Sequence, residues 1–320
     1  MARWMAWLRM SGPKVDPDEF GQIEDLFAPL TRGAPGALGL LDDAAVIPSR
    51  PGWDLVVTKD AMVAGVHFLA DEAPGRIAQR LMRANLSDLA AKGAEPFGYF
   101  LMTAWSPEFD LGKRRAFAKG LQVDGAEFDV DLLGGDTVST SGPLTVSMTA
   151  LGWVPAGKMV RRDSACVGDL IVVSGPIGEG WLDWGLGLGA RLPAPRLDLR
   201  DSLRASASAA ADISDGLIAD AEHIAKASGL GLRIDLDKMP ISKAAAEWVE
   251  TQPDAGLARL RLATAGDDYE LVCTVSPENL GGLNLTVVGE VIAKGRDVVI
   301  GKRRLDAGAG GWVHGVQQRS

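Results

Sequence analysis

The chain has 320 residues, with 33 basic and 42 acidic side chains and a formal net charge of −9. That length exceeds one ordinary core and predicts two domains. The acidity, without any long lysine or arginine run, argues against nucleic acid and anionic membranes as partners, while an anionic substrate stays admissible because divalent cations invert a local field.

From the N-terminus, "MARWMAWLRM" is apolar but too short, and too interrupted by arginine, for a membrane or signal segment, so residues 1–15 read as a tail. "DPDEFGQIEDLFAPL" opens on acids and a proline and keeps apolar residues at helical spacing. "WDLVVTKD" reads as a buried strand ending at Asp60, and "GRIAQRLMRANLSDLAAKGAEP" as a helix stopped by Gly93 and Pro96. "FGYFLMTAW" is a strand, "LGKRRAFAKGLQVDGAEF" a helix, "DVDLLGGDT" a strand running into glycines, and "PLTVSMTALGWV" a further strand. After "PAGKMVRRDSACVGD" the pattern resets, which divides the chain into 16–155 and 156–320. There "DLIVVSG" is a strand, "GLIADAEHIAKASG" an amphipathic helix introduced by "DISD", and "LGLRIDLDKMPIS", "ELVCTVS" and "LTVVGEVI" later strands. Mixed α and β on both sides predict a two-domain α/β (α+β) architecture. Cys166 and Cys273 fit no metal or redox spacing, which suits a reducing, cytoplasmic compartment.

Acids recur in places built for burial. Asp42 and Asp43 sit side by side in "LLDDAAVI", Asp60 closes a strand, and Asp136 follows two glycines in "LLGGDT". Asp212 and Asp215 bracket "DISDG", and Asp267 and Asp268 lie in "TAGDDYELV". Asn85 and Asp88 are three apart on one helix face beside Leu86 and Leu89. Any one of these is a turn former or a cap by ordinary local chemistry. Together they suit a hard divalent cation, since carboxylates set among apolar residues repel and lose hydration unless something positive joins them. Zinc is disfavoured, because none of His67, His223 and His314 pairs with another histidine or cysteine at ligand spacing. A carboxylate site with few histidines points to phosphoryl chemistry. "GWVPAGKM" lacks the Ser or Thr of a P-loop, and "GPIGEG" reverses the glycine spacing of a dinucleotide fingerprint.

These motifs, in order, resemble the thiamine-monophosphate kinase family. They are "LDDAAVI", "VVTKDAMVAGVHF", "NLSDLAAKGAEP", "LLGGDTVSTSGPLTVSMTALG", "RRDSACVGD", "DISDGL", "GDDYEL" and the aromatic of "GGWVHG". The wider superfamily includes aminoimidazole ribonucleotide synthetase and selenophosphate synthetase. The resemblance implies an N-terminal domain that binds ATP and Mg2+ and forms a homodimer through its sheet, and a C-terminal α+β domain. It implies transfer of the ATP γ-phosphoryl group to thiamine monophosphate, giving thiamine diphosphate. It places several Mg2+ ions on Asp42 or Asp43, Thr58, Asp60, Asp88, Asp136 and Asp212, with Asp215 on a further ion. Gly135, Asp136, Arg162 and Ser214 would hold ATP. His67, Asp268 or Glu270, and Trp312 would face thiamine monophosphate, the aromatic ring over its thiazolium.

Leu41 stands where the family has glycine before the acid pair, and Lys59 replaces a threonine before the strand-end aspartate. The first limits backbone freedom; the second removes an oxygen ligand and adds a cation. Two other readings follow: a different ATP-dependent enzyme of the superfamily, or a nucleotide- and metal-binding protein without turnover. A selenide enzyme would want a reactive cysteine near the N-terminus, and none is there.

Overall fold

The computed structural model describes residues 19–185, 191–282, 285–308 and 310–311; the expected tail over 1–15, and Trp312, lie outside them. The expected first helix is broken into pieces. Helix α1 (Glu19–Gln22) passes into a π turn over Ile23–Phe27 and a 3-10 turn over Ala28–Thr31. Pro29 has no N–H and its ring crowds the carbonyl four residues back, so a regular ladder cannot run through it.

Four strands make the first sheet: β1 (Trp53–Val63), β2 (Glu95–Trp105), β3 (Asp131–Ser139) and β4 (Thr145–Pro155), ordered β1-β4-β2-β3. Helices α2 (Pro74–Ala91) and α3 (Leu111–Phe128) bury one face of it, through Ile77, Leu81, Phe117 and Leu121 against Tyr99, Leu101 and Trp105. Much of the other face is open. On edge strand β1, Leu55 and Val57 are 39% and 55% exposed, and Val138 on β3 is 45% exposed. "WDLVVTKD" is therefore a strand covered on one side, rather than the buried strand its composition suggests.

The second sheet has seven strands: β5 (Leu170–Val173), β6 (Ala207–Asp212), β7 (Gly231–Asp235), β8 (Leu271–Val275), β9 (Thr286–Ile292), β10 (Arg296–Ile300) and β11 (Arg303–Leu305), ordered β11-β10-β7-β9-β5-β8-β6. Its helices are α4 (Glu179–Gly185), α5 (Arg200–Ser206), α6 (Leu217–Ala227), α7 (Lys243–Glu250) and α8 (Ala255–Ala263). One face packs on α6 and α8 through Ile171, Val173, Ile218, Ile224 and Leu262. The other face gathers Val172, Leu203, Ala210 and the fully buried Cys273, and reaches Ala91 at the end of α2. Four of the six residues of strand β6 are alanine, a composition that gives no strand signal; Ala209, Ala210 and Ala211 are fully buried between neighbouring layers that leave room for methyl groups.

The end of α2 thus belongs to both units. Lys92 Nζ donates to the Ala210 carbonyl at 2.7 Å, and Arg204 donates to the Gly93 carbonyl. Gly93 ends the helix at φ +67, and a Cβ there would meet Arg204. Among the described residues, no helix is long and apolar enough to cross a membrane.

Candidate active site

The alternation of β1 sorts its polar residues between two faces of the sheet. Thr58 and Asp60 point toward α2, whereas Lys59 and Ala61 point to the open side, because side chains alternate along a strand. Thr58 Oγ1 donates to Asp88 Oδ2 at 2.5 Å. Asp212, at the end of β6, is 4% exposed and joins the same group from the second sheet. Burial and then Asp88 push the Asp60 carboxyl up to about 7. Burial, then Asp88, Asp220 and Asp60, push Asp212 well above the usual carboxylate range, with Arg162 pulling the other way. These are carboxylates facing one another with too little positive charge between them.

Two cations border the group. Lys92 lies one turn beyond Asp88 on the same helix face, and burial and Arg162 hold its ammonium down at about 8, against the pull of Asp212 and Asp88. Arg161 is tied to Asp163 at 2.5 Å, so Arg162 is the arginine of this pair that faces the acids. Three carboxylates and a hydroxyl share this neighbourhood, all of them oxygen donors of the kind hard divalent cations take, though the three carboxylates do not bring their oxygens within 4.8 Å of one another. Asp215, Asp220 and His223 form a second group whose ligand atoms all lie within 4.8 Å of one another. Asp215 and Ser214 do not cap α6 by side chain. Instead the Asp220 carboxylate accepts the Asp215 and Gly216 amides at 3.0 and 3.1 Å.

Asp42, Asp43 and Asp136 lie elsewhere. With Lys59, Gly134 and Gly135 they line a cavity of about 580 Å³ on the open side of the first sheet. Asp136 pairs across β2 and β4 with Met102 and Ser147, and Ser147 pairs with Ala61, so Asp136 shares the face of Ala61 and not that of Asp60. Three strand spacings also separate β3 from β1, about 14 Å. Within one chain, then, the residues expected to hold the Mg2+ ions are divided: Thr58, Asp60, Asp88 and Asp212 share one neighbourhood, and Asp42, Asp43 and Asp136 do not join them. Alternation across a pleated sheet, invisible in a list of acids, makes the division.

Contacts around Gly135, Leu41 and Lys59 alter other expectations. A Cβ on Gly135 would fall 2.0 Å from the Leu101 carbonyl oxygen, so close approach of β2 requires that glycine whether or not a phosphate is bound. Leu41 has φ −100 and ψ −5, an ordinary conformation, while left-handed geometry falls on Leu38 and Leu40. Lys59 lies on the open face with Nζ 3.5 Å from Thr149 Oγ1.

A second cavity, about 450 Å³, lies at the junction of the two units and is lined by Asp60, His67, Arg80, Trp181, Trp184, Ser214, Asp215, Asp267 and Tyr269, among others. His67 Nδ1 accepts the Val63 amide at 3.0 Å. Of the acids in "GDDYE", Asp267 is the one that lines this cavity. Asp268 is buried and accepts the Gly178 and Gly180 amides, and burial lifts its carboxyl to about 7. Glu270 is gripped by Arg196 at 2.5 and 2.7 Å and by Ser174 at 2.5 Å. Both are engaged in holding loops, so Asp267, rather than the expected Asp268 or Glu270, is the acid of this motif that opens onto the cavity. Lys92, Asp220, Arg80, Trp181 and Trp184 were not singled out from the sequence. The helical spacings Asp88–Lys92 and Trp181–Trp184 are the signals that carry them.

The match to known proteins runs through both units. Residues 41–154 match the model of AIR synthase related protein, N-terminal domain, and residues 167–302 that of the C-terminal domain. A thiamine-monophosphate kinase from Caulobacter vibrioides is 52% identical, covering 93% of this chain and 91% of its own. The chain belongs to the thiamine-monophosphate kinase family. A crystal structure of a family member from Stenotrophomonas maltophilia K279a is 35% identical over 86% of this chain and 96% of that chain, with a TM-score of 0.73. AaThiL complexed with AMPPCP and TMP matches at 24% identity over 86% and 96%, TM-score 0.71, which shows the shared fold. The family's two-domain α/β fold is thus the fold of this chain.

Proposed function

We propose that this protein is an ATP-dependent kinase of thiamine monophosphate, transferring the γ-phosphoryl group to the acceptor's phosphate to give ADP and thiamine diphosphate. The observation that carries the reading is the Asp60–Asp88–Asp212 group, mutually repelling and oxygen-only, whose member Asp60 lines a cavity of about 450 Å³. Mg2+ suits that donor set, and Thr58, Asp60, Asp88 and Asp212 would hold it; once bound, it neutralises charge on the transferring phosphoryl group. Asp215, with Asp220 and His223 beside it, supplies donors for a further ion. Arg162 and Ser214 face the nucleotide's side of the site, with Gly135 and Asp136 on the other cavity. His67 and Asp267 face the acceptor. Trp312, expected to cover the thiazolium, lies outside the described residues.

An acceptor phosphate oxygen is already a nucleophile and needs no strong base. Positioning and charge neutralisation therefore dominate, and direct in-line transfer requires no covalent phosphoenzyme. The open face of the first sheet, with Leu55, Val57 and Val138 exposed, is the face a second copy would cover in a homodimer. Such pairing would set Asp42, Asp43 and Asp136 of one copy toward the Asp60 edge of the other. The expected compartment is the cytoplasm.

The test is ADP release from Mg-ATP with thiamine monophosphate, with unphosphorylated thiamine, and with no acceptor. Turnover that requires the monophosphate and yields thiamine diphosphate is the expected result. ATP binding without turnover would leave the fold and replace the function with the binding-protein reading.

A further inference from the structure

The far wall of the second cavity carries a linked set of side chains that the phosphoryl chemistry does not use. Trp184 Nε1–H donates to Asp267 Oδ2 at 2.9 Å. Arg80 Nη2 pairs with the other oxygen, Asp267 Oδ1, at 2.6 Å. Arg80 is 3% exposed, its Nη1 donates to the Arg191 carbonyl at 2.6 Å, and its guanidinium lies 5.6 Å from the centre of the Tyr269 ring. Its Nε is buried with no acceptor among the described residues. Trp181 completes the wall, held edge-on against Trp248 at 4.7 Å.

A plain structural reading makes Arg80–Asp267 a latch between the two units, since Arg80 comes from α2 and Asp267 from the loop before β8. A latch accounts for the ion pair. It does not account for the placement of that pair and two tryptophans along a cavity, with a guanidinium N–H left unpartnered behind the wall. Buried donors without partners are uncommon and call for an occupant or a cause.

We propose that Trp184 and Arg80 are specificity-determining residues that position Asp267 to read the heteroaromatic end of the acceptor. This rests on the reading of thiamine monophosphate as acceptor. Asp267 spends one lone pair on Trp184 and one on Arg80, which leaves it acceptor capacity for an amino group of a bound ring. Pairing with Arg80 also keeps Asp267 from drawing a divalent cation away from the Asp60–Asp88–Asp212 group, in a cleft otherwise crowded with acids. The aromatic lining favours a planar ring over an aliphatic group of equal size. The cavity then has two chemically distinct ends: carboxylates and His67 at the phosphate, aromatic faces and an arginine-neutralised carboxylate at the ring.

The test uses the full chain with steady-state kinetics at saturating Mg-ATP, with thermal midpoints as a folding control. Trp184→Leu is expected to raise the half-saturating concentration of thiamine monophosphate at least tenfold, with kcat and the ATP KM within about twofold of wild type. Trp184→Phe, which keeps the ring and loses the N–H, is expected to raise it about threefold and keeps the test informative if the leucine variant fails to fold. Arg80→Met should behave like Trp184→Leu, and Arg80→Lys should recover part of the loss. Unchanged acceptor KM in folded Trp184 variants overturns the proposal. So does a parallel fall in kcat and ATP affinity, the signature of a structural latch. If wild type neither binds nor phosphorylates thiamine monophosphate, the functional reading fails first, and the proposal with it.

Discussion

Replacing Asp60 by asparagine keeps the shape of the β1 end and removes one of three carboxylates that repel one another. Among the described residues its side chain makes no hydrogen bond that asparagine would lose, and Ser147 Oγ donates to its backbone carbonyl. The carboxyl is lifted from 3.8 to about 7 by burial and then by Asp88, which is roughly 4 kcal/mol against its ionised form. Partial exposure and water entry reduce this to about 2 kcal/mol at pH 8 without divalent cations. The sign follows from proton counts. A carboxyl raised in the fold still holds its proton after the unfolded chain has lost it, so wild-type stability falls as pH rises from about 4 to about 7. Asp212 and Asp220 are displaced in the same direction and add to that slope. In EDTA at pH 8, Asp60→Asn should melt about 4–8 °C above wild type, and near pH 4 the two should coincide. Added Mg2+ should raise the wild-type midpoint and raise that of the variant less, while phosphoryl transfer is lost in the variant. Thermal denaturation across the pH range, with and without Mg2+, reads all of this. A variant that melts at or below wild type at pH 8 in EDTA would falsify the view that Asp60 is held at a cost for the sake of a cation.

Asp136→Asn and Asp212→Asn should each abolish turnover, and a purified heterodimer of the two should regain about half the wild-type rate, because one of its two sites is then intact if the residues meet across subunits; a dead heterodimer would place both residues in the same chain's site. Lys92→Met removes a cation that competes for the acid group, so the Mg2+ concentration for half-maximal activity should drop about threefold or more; an unchanged or raised requirement, measured by Mg2+ titration at fixed ATP, would remove Lys92 from the electrostatics of the site. Glu270→Gln leaves Arg196 without its carboxylate and should cost about 2–3 kcal/mol in denaturant unfolding, yet leave the acceptor KM within about twofold; a large KM effect with unchanged stability would return Glu270 to the acceptor site.

Much of the site's chemistry was legible because acids in apolar surroundings are conspicuous. Asp60 and Asp212 stand out as acids in apolar strand sequence and Asp88 as an acid among the leucines and alanines that end α2, and these three share one neighbourhood. Lys92 was harder to see, since a lysine at a helix end reads as a solvated cap, and only its contact with Ala210 shows that it points inward. Which acid of "GDDYE" opens onto the cavity was not legible. Asp267, Asp268 and Glu270 have nearly the same local sequence context, and what separates them is which has Gly178, Gly180 or Arg196 within reach. Strand β6 was missed for another reason, since alanine carries no strand preference and its pairing with β8 is a long-range fact.

By itself, the order of residues determined the two-domain α/β plan, the placement of most strands and helices, and the oxygen-rich chemistry of the site, because hydrophobic period and residue type act locally. Only the tertiary structure decided which acids meet. Alternation along β1 sends Thr58 and Asp60 to one face and Lys59 to the other, sheet order puts Asp136 three strands away, and the docking of α2 on β6 brings Asp88 to Asp212. A charge's neighbours are set by contacts between distant segments, and those contacts, rather than its place in the chain, determine what it can bind.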